Sequence, residues 1–380
     1  MQTILDIEEN LKPLDEILED KFIPALFGRE ITRNERELVA LPVKEGGLGI
    51  REISKESSRT YTISRSITAP LIKQIVEQSD FVPDFVDVKL AKSTTSERTK
   101  ELNKQHIKSV KDKQSHEMKR TIEQISEPGA SSWLGALPIP QYGIDMNKGE
   151  FNDALCLRYN KPLKNLPTVC PCGKKFNTTH ALNCHLGGFV NARHDNIRDF
   201  EAQLLKTVCN DVQIEPPLQS VPPRVTLNPD ANTKEDARLD VRARGYWRDG
   251  QNAYFDVCVT NADCESQRNT SLKQVLRKHD LKKKSQYNQR VMQIEHGTLT
   301  PLIFTTTGAM SRDCLKYHKS LAEKISEKKG DRYEEVMRYI RTKISFLAVK
   351  ATLLCLRGSR SIRKAELGED FGLSLLELGM

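Results

Sequence analysis

The chain contains no long apolar run. Its 380 residues are 38% hydrophobic, enough for small packed cores in two to three domains but not for a membrane span. It does not open on a secretory leader, since MQTILDIEENLKPL is acidic and amphipathic rather than a basic segment followed by an apolar one. That start predicts an intracellular, reducing compartment. A disulfide rhythm is also missing. The nine cysteines, an odd number, are scattered along the sequence, which fits thiols and a metal site better than a secreted scaffold. Gly46, Gly47 and Gly49 make no phosphate-binding loop, because no Lys-Ser/Thr pair and no GxGxxG spacing accompanies them. No internal repeat is found.

What is abundant is positive charge. The formal net charge is +8 and the pI about 8.9, with much of the excess in KLAKSTTSERTKELNKQHIKSVKDKQSHEMKR and in the segment from Lys273 to Arg290. Nucleic acid is the partner such a balance implies. The first of these runs also reads as a solvated helical face. Composition shifts divide the chain into an amphipathic helical region over 1–80 around the Gly46-Gly47 turn, a basic, aromatic-poor connector over 81–130, and a turn-rich stretch over 131–192 with a short helix near Phe151 to Tyr159. A core follows over 193–350 and a C-terminal tail over 351–380.

Within the core, ARLDVRARGYW and QNAYFDVCVT alternate as two strands of a β-hairpin. Leu239, Val241 and Ala243 share one face, Arg238, Asp240, Arg242 and Arg244 the other; Phe255, Val257 and Val259 oppose Tyr254, Asp256, Cys258 and Thr260. A two-residue turn at Asp249-Gly250 mixes polar with apolar positions on each face. A three-residue loop, Arg248-Asp249-Gly250, keeps the faces consistent and pairs Asp240 with Cys258 and Asp256 with Arg242. The two aspartates then become diagonal neighbours, roughly 7–8 Å apart at the backbone and within reach of one metal ion.

The following segment repeats Leu272, Val275, Leu276, Tyr287, Val291 and Ile294 at helical spacing. Lys283 falls inside that stripe, four residues before Tyr287, while Lys282 and Lys284 project to its edges and Leu281 lies on the far side. An unpaired buried ammonium costs several kcal/mol or loses its proton, so Lys283 needs an anionic partner. The strand aspartates can supply it.

A second constellation is CPCGKKFNTTHALNCH. Cys170, Cys172, His180 and Cys184 suit a closed tetrahedral zinc site with a structural role, and the spacing leaves His185 open as an alternative to Cys184.

Taken in order, an acidic helix, an aspartate on one strand, a second on the next and a basic helix resemble the PD-(D/E)XK nuclease fold. The wording is most similar to the restriction-like endonuclease at the C-terminal end of polyproteins from site-specific non-LTR retrotransposons. Leu239 stands where the family often has proline, Cys258 takes the strand lysine position, and Lys283 in KHDLKKKSQY matches the lysine relocated to the helix. The Cys/His cluster resembles the CCHC motif that precedes that endonuclease. Arg193 and His194 match an Arg-His pair, and Glu201 the acidic residue of the first helix. TPLIFTTTG and ISFLAVKATLLCLRGSR resemble the downstream region, and LPVKEGGLGI the segment after the polymerase palm. The likeness covers most of the chain and is weakest over 81–130.

The resemblance implies a mixed α/β chain: a helical, thumb-like N-terminal region, a small zinc knuckle and a restriction-endonuclease-like core with a mixed sheet flanked by helices. It implies a nuclear, magnesium-dependent DNA endonuclease that nicks a chromosomal target so that the 3′ end primes reverse transcription. Asp240 and Asp256 hold magnesium, Lys283 and Glu201 act beside them, and Arg193, His194, Lys282, Lys284 and Arg290 contact DNA. Target DNA is the expected partner and the element's RNA a further one, with no membrane. The polymerase itself is not expected here, since the sequence has no Asp-Asp dyad. Two other functions stay open: a zinc-stabilised nucleic-acid-binding module without cleavage, and an interaction fragment of a decayed element.

Overall fold

The structure is a computed structural model describing residues 4–78 and 85–360. It is mixed α/β and 56% helical, with one four-stranded sheet flanked by helices. Residues 81–84 of the expected connector and 361–380 of the expected tail lie outside the described residues. Two compact units result, Met1–Ile122 with Arg158–Asn160, and Glu123–Leu157 with Lys161–Met380.

The first unit holds α1 (Glu8–Ile17), α2 (Ile23–Phe27), α3 (Arg33–Ala40), α4 (Ile53–Glu77), α5 (Phe85–Asp112) and most of α6 (His116–Ile125). Thr32 starts α3 with a reciprocal cap: its hydroxyl accepts from the Glu35 amide and the Glu35 carboxylate accepts from the Thr32 amide. The LPVKEGGLGI segment turns between α3 and α4. Gly46 has φ +99°, and a Cβ on Gly47 would stand 1.9 Å from the Leu41 carbonyl oxygen, so no larger residue fits the second glycine. Arg36, fully buried, donates to the Ile50 carbonyl at 2.7 Å, and Arg158 donates to those of Val43 and Gly47. Turn carbonyls that packing takes from water are thereby satisfied. The expected connector proves helical and part of this unit. From Phe85 to Asp112 it has no glycine or proline and is rich in residues that lose little freedom in a helix.

In the second unit come α7 (Lys148–Arg158, its last residue in the first unit), α8 (Thr178–Ala181), α9 (Phe189–Val208), β1 (Val212–Ile214), β2 (Val241–Arg244), β3 (Asn252–Thr260), α10 (Leu272–Gln293), β4 (Thr298–Thr305), α11 (Arg312–Lys329) and α12 (Tyr333–Arg357). The strand order is β1-β2-β3-β4, with β1/β2 and β2/β3 antiparallel and β3/β4 parallel. Strand β3 is therefore central and covered on both faces. Val241, Ala243, Ala253, Phe255 and Val257 pack with Ile197 and Phe200 of α9, Tyr317 and Leu321 of α11, and Ile340 and Ile344 of α12. On the other face Tyr254 meets Val291, and Cys258 meets Leu272, Val275 and Leu276, all from α10. Helix α10 is the crossover that two parallel neighbours require. Pro301 is tolerated in β4 because that strand lies at the sheet edge.

The hairpin register differs from the expected one. Val241 pairs with Phe255 and Arg244 with Asn252, so extending the ladder by one residue sets Asp240 across from Asp256 rather than from Cys258. Gly245, at φ +82°, turns the chain out of the ladder, and Tyr246 drops into the core. Its ring stands 5.4 Å from Phe255 and 5.5 Å from Tyr317, and its hydroxyl donates to the Tyr317 carbonyl. The connection thus runs over 245–251 instead of three residues. Because the register moves by two, each side chain keeps its expected face.

Two expected boundaries also move. The Cys/His segment, expected apart from the core, belongs to the same unit, where Cys170, Phe176, Ala181 and Cys184 pack with Leu356 of α12. The expected tail is helical to Arg357, because Ala351, Leu353, Cys355 and Leu356 continue the buried face of α12. No helix among the described residues is long and apolar enough to cross a membrane.

Candidate catalytic and metal-binding sites

Asp256 lies mid-way along β3 between Tyr254 and Cys258, facing α10, and is 4% exposed. Its partner is Lys283, whose Nζ is 3.0 Å from Oδ1 and 2.9 Å from Oδ2. Only the Oδ1 contact has hydrogen-bond geometry, so Oδ2 is buried without a directed donor. Burial pushes the Asp256 carboxyl up to about 7, against the pull of Lys283 and with a further push from Asp240. Burial acts on Lys283 in the opposite sense, but Asp256 outweighs it and holds the ammonium above its usual range.

Asp240 is the second carboxylate. Its Oδ2 accepts from the Val257 amide at 2.6 Å and from His194 Nε2 at 3.2 Å. The β2/β3 ladder ends at Val241↔Phe255, and this side chain takes up the amide two residues further along β3. Burial alone would raise Asp240; His194 and the Val257 amide bring it below the usual carboxylate range. His194, on α9, also lies 3.2 Å from the Val257 carbonyl. Burial lowers His194, but Asp240 and Asp195 raise it to about 9. The four residues form a line, His194–Asp240–Asp256–Lys283, in which two adjacent carboxylates are flanked by a cation at each end, drawn from α9, the end of β2, β3 and α10.

The sign of the His194 shift fixes a pH dependence. Its folded pKa of about 9 lies above its ordinary 6.5, so its stabilising contribution is full below about pH 6.5 and lost as pH rises through about 9. The shift corresponds to at most about 3 kcal/mol. Urea unfolding should show the wild type losing stability between about pH 6 and pH 9.5, and His194→Gln losing that slope.

The remaining expected site residues fall elsewhere. Glu201 is completely buried and its Oε1 accepts from His318 Nε2 of α11 at 2.8 Å. It is two helical turns from His194, about 10 Å along α9, which gives it a place in the core packing. Arg193 is 3% exposed and donates to the Leu182 carbonyl at 3.2 Å, so in this fold it is not presented to DNA. Arg290 is fully buried and holds the carbonyls of Asn232, Lys234 and Gln219 at 2.6–2.9 Å. It fastens a loop from inside the fold. Lys282 is exposed, whereas Lys284 pairs with Asp313 at 2.5 Å.

Some of these contacts had a signal that sequence reading passed over. Glu201 is four residues from both Ile197 and Leu205, and Arg290 is seven from Lys283. Each is therefore a charge on an apolar stripe, where burial demands a partner. His279, one turn before Lys283, was legible in the same way; it lies 3.8 Å from Cys258 Sγ and 3.0 Å from Thr260 Oγ1.

The cysteine cluster forms a compact set. One ligand atom from each of Cys170, Cys172, His180 and Cys184 lies within 4.8 Å of the others, and His185 is outside the group. Cys170 Sγ and Cys184 Sγ are 3.9 Å apart, and Cys172 Sγ is 3.4 Å from His180 Nε2. Tetrahedral bonds of about 2.3 Å to sulfur put ligand atoms about 3.8 Å apart, so the set is of a size to hold a metal ion, and its donors are compatible with zinc. Gly173, at φ +84°, shapes the turn between the first two cysteines and His180, and Asn177 caps the short α8 that carries the histidine.

A cavity of about 1080 Å³ in the first unit, between α3, α4 and α5, joins no metal-binding set among the described residues. Its Glu37 and Glu52 are held by Lys113 and Arg33. A scan of family models finds none that matches the chain, and a search of curated proteins finds no match.

Proposed function

We propose that this chain is a metal-dependent DNA endonuclease of the restriction-like PD-(D/E)XK type, with a structural zinc in a CCHC knuckle. The observation that carries the reading is the pairing of Lys283 from α10 with Asp256 of β3, beside Asp240 just past the end of the ladder. A cation paired with a buried carboxylate that has a second carboxylate beside it suits phosphodiester hydrolysis. The biological step implied by the resemblance, nicking of a chromosomal target that primes reverse transcription in the nucleus, follows from the same reading.

Asp240 and Asp256 supply hard oxygen donors, and the undirected Asp256 Oδ2 leaves acceptor capacity for a cation. Magnesium bound there would supply Lewis-acid polarisation of the scissile phosphate and a more acidic water. The chain's own residues do the rest. Lys283 draws Asp256 toward its ionised form against the push of burial, offsets the negative charge that grows on the phosphorane, and orients the attacking water by hydrogen bond. His194 fixes the rotamer of Asp240. The exposed Lys282 and the other basic residues of α10's outer face meet the phosphate backbone.

A nucleic-acid-binding module without cleavage is the rival reading, favoured by the engagement of Asp240 with both His194 and the Val257 amide. The deciding experiment is incubation of supercoiled plasmid with the protein, with and without magnesium. Nicked circles that need magnesium support the endonuclease; retarded but intact plasmid supports the rival.

A further inference from the structure

The Cys/His knuckle and the aspartate pair are joined through two adjacent residues of α9. Leu182 lies between His180 and Cys184 of the metal-binding set, and its carbonyl accepts from Arg193 Nη1 at 3.2 Å. The next residue, His194, donates to Asp240, whose carboxylate in turn accepts the Val257 amide. Arg193 is an unusual residue to find there. The residue is 3% exposed, its Nε is buried without a partner, and no ion pair to a carboxylate is formed among the described residues. Burial pulls its pKa down, so keeping it charged inside the protein is costly. A buried cation that takes a backbone carbonyl from the knuckle couples the placement of α9's first turns to the shape of that loop.

We propose that Arg193 is a positioning residue through which the metal-bound shape of the knuckle sets the Asp240 carboxylate. The knuckle carbonyl at Leu182 lies where Arg193 reaches it only while the loop from Phe176 to Cys184 keeps its closed form, and four ligands on one ion impose that form. With the ion gone, Arg193 loses its acceptor, the start of α9 loosens, and His194 no longer holds Asp240 on the Val257 amide. Neighbouring contacts bind the same region: Arg360 lies over the rings of Phe176 and Phe189 at 5.0 and 5.3 Å and donates to the Ala181 carbonyl. These fasten the knuckle to α12, whereas Arg193 alone of them leads on to the aspartates. The inference rests on the zinc reading, and on the nuclease reading only for its activity arm.

Hydrogen exchange at the Val257 amide reports the Asp240 contact directly and needs no catalysis. In the full chain, removal of zinc by a chelator should accelerate Val257 exchange about tenfold or more, while Leu302 to Phe304 in β4 stay protected; readdition of zinc should restore it. Unchanged Val257 protection overturns the coupling, as does loss of protection throughout the sheet, which would give the metal a general stabilising role. Arg193→Met, if folded and still carrying zinc, should show fast Val257 exchange that no longer responds to zinc, and Arg193→Lys should recover much of the response. A zinc-dependent Val257 in Arg193→Met also overturns the proposal. Should Arg193→Met not fold, the wild-type exchange arm decides alone. Plasmid nicking should follow Val257 protection; a protein that never nicks but shows zinc-dependent exchange retains the coupling and loses the nuclease assignment.

Discussion

Lys283→Ala should lower magnesium-dependent nicking by about 10²–10³-fold, the range seen when one charge-stabilising group is removed from an active site, with DNA affinity nearly kept. The reason is twofold. The variant removes the cation that faces the developing phosphorane, and it leaves Asp256 buried with no counter-charge. Burial already carries that carboxyl to about 7 with Lys283 beside it; without the ammonium it moves further up and stays protonated at neutral pH. The residual activity should therefore climb as pH is raised, whereas loss of a merely structural contact would leave the pH profile in place. Lys282→Ala is the matched control: its side chain is exposed, so it should weaken binding in a salt-dependent way and lower the salt slope by about one. Lys284→Ala breaks the pair with Asp313 and should affect stability more than chemistry. Cys258→Lys, two residues from Asp256 on the same face of β3, should return part of the activity to Lys283→Ala. Normal cleavage by Lys283→Ala would sink the assignment of this lysine.

Cys172→Ser should take the protein from about one zinc equivalent to none and lower its thermal midpoint by about 10 °C or more, since structural zinc contributes folding free energy outright. Cys172 is the exposed member of the Cys/His set, and its thiol is held below the usual range by the Lys174 amide, a state suited to thiolate coordination. An isolated knuckle would unfold by itself. Here Cys170, Phe176, Ala181 and Cys184 share a core with Leu356 of α12, so the loss should spread into the second unit. Elemental analysis with calorimetry measures both effects; a Cys172→Ser protein with a full complement of zinc and an unchanged midpoint would remove the site.

The secondary elements around the site were legible because their periodicity is strong. Alternation in QNAYFDVCVT marked β3, and the stripe through Leu272, Leu276 and Val291 marked α10 and set Lys283 on its buried side. The register was not legible, because the decision lay with Tyr246: nothing in the local pattern tells that this ring fills a hole between Phe255 and Tyr317, elements 9 and 71 residues away. The same holds for His194, whose acceptor Asp240 is 46 residues downstream. A charged residue on an apolar stripe signals that a partner exists, as it did for Lys283. It does not name the partner: Arg193, Glu201 and Arg290 find theirs in the interior, at the Leu182 carbonyl, at His318 and at three loop carbonyls.

The parallel pairing of β3 with β4 bears on when, during folding, the site comes into being. Ala253 pairs with Thr298, so the contact closes a loop of 45 residues that contains the whole of α10. Such non-local pairing is entropically late, while the β2/β3 hairpin and α10 can form from neighbours in the chain. Asp256 must therefore wait, already on its strand, for a helix that docks only when β4 arrives. Until then its carboxylate is hydrated and unpaired, and a nascent chain carries the two halves of the charge pair apart.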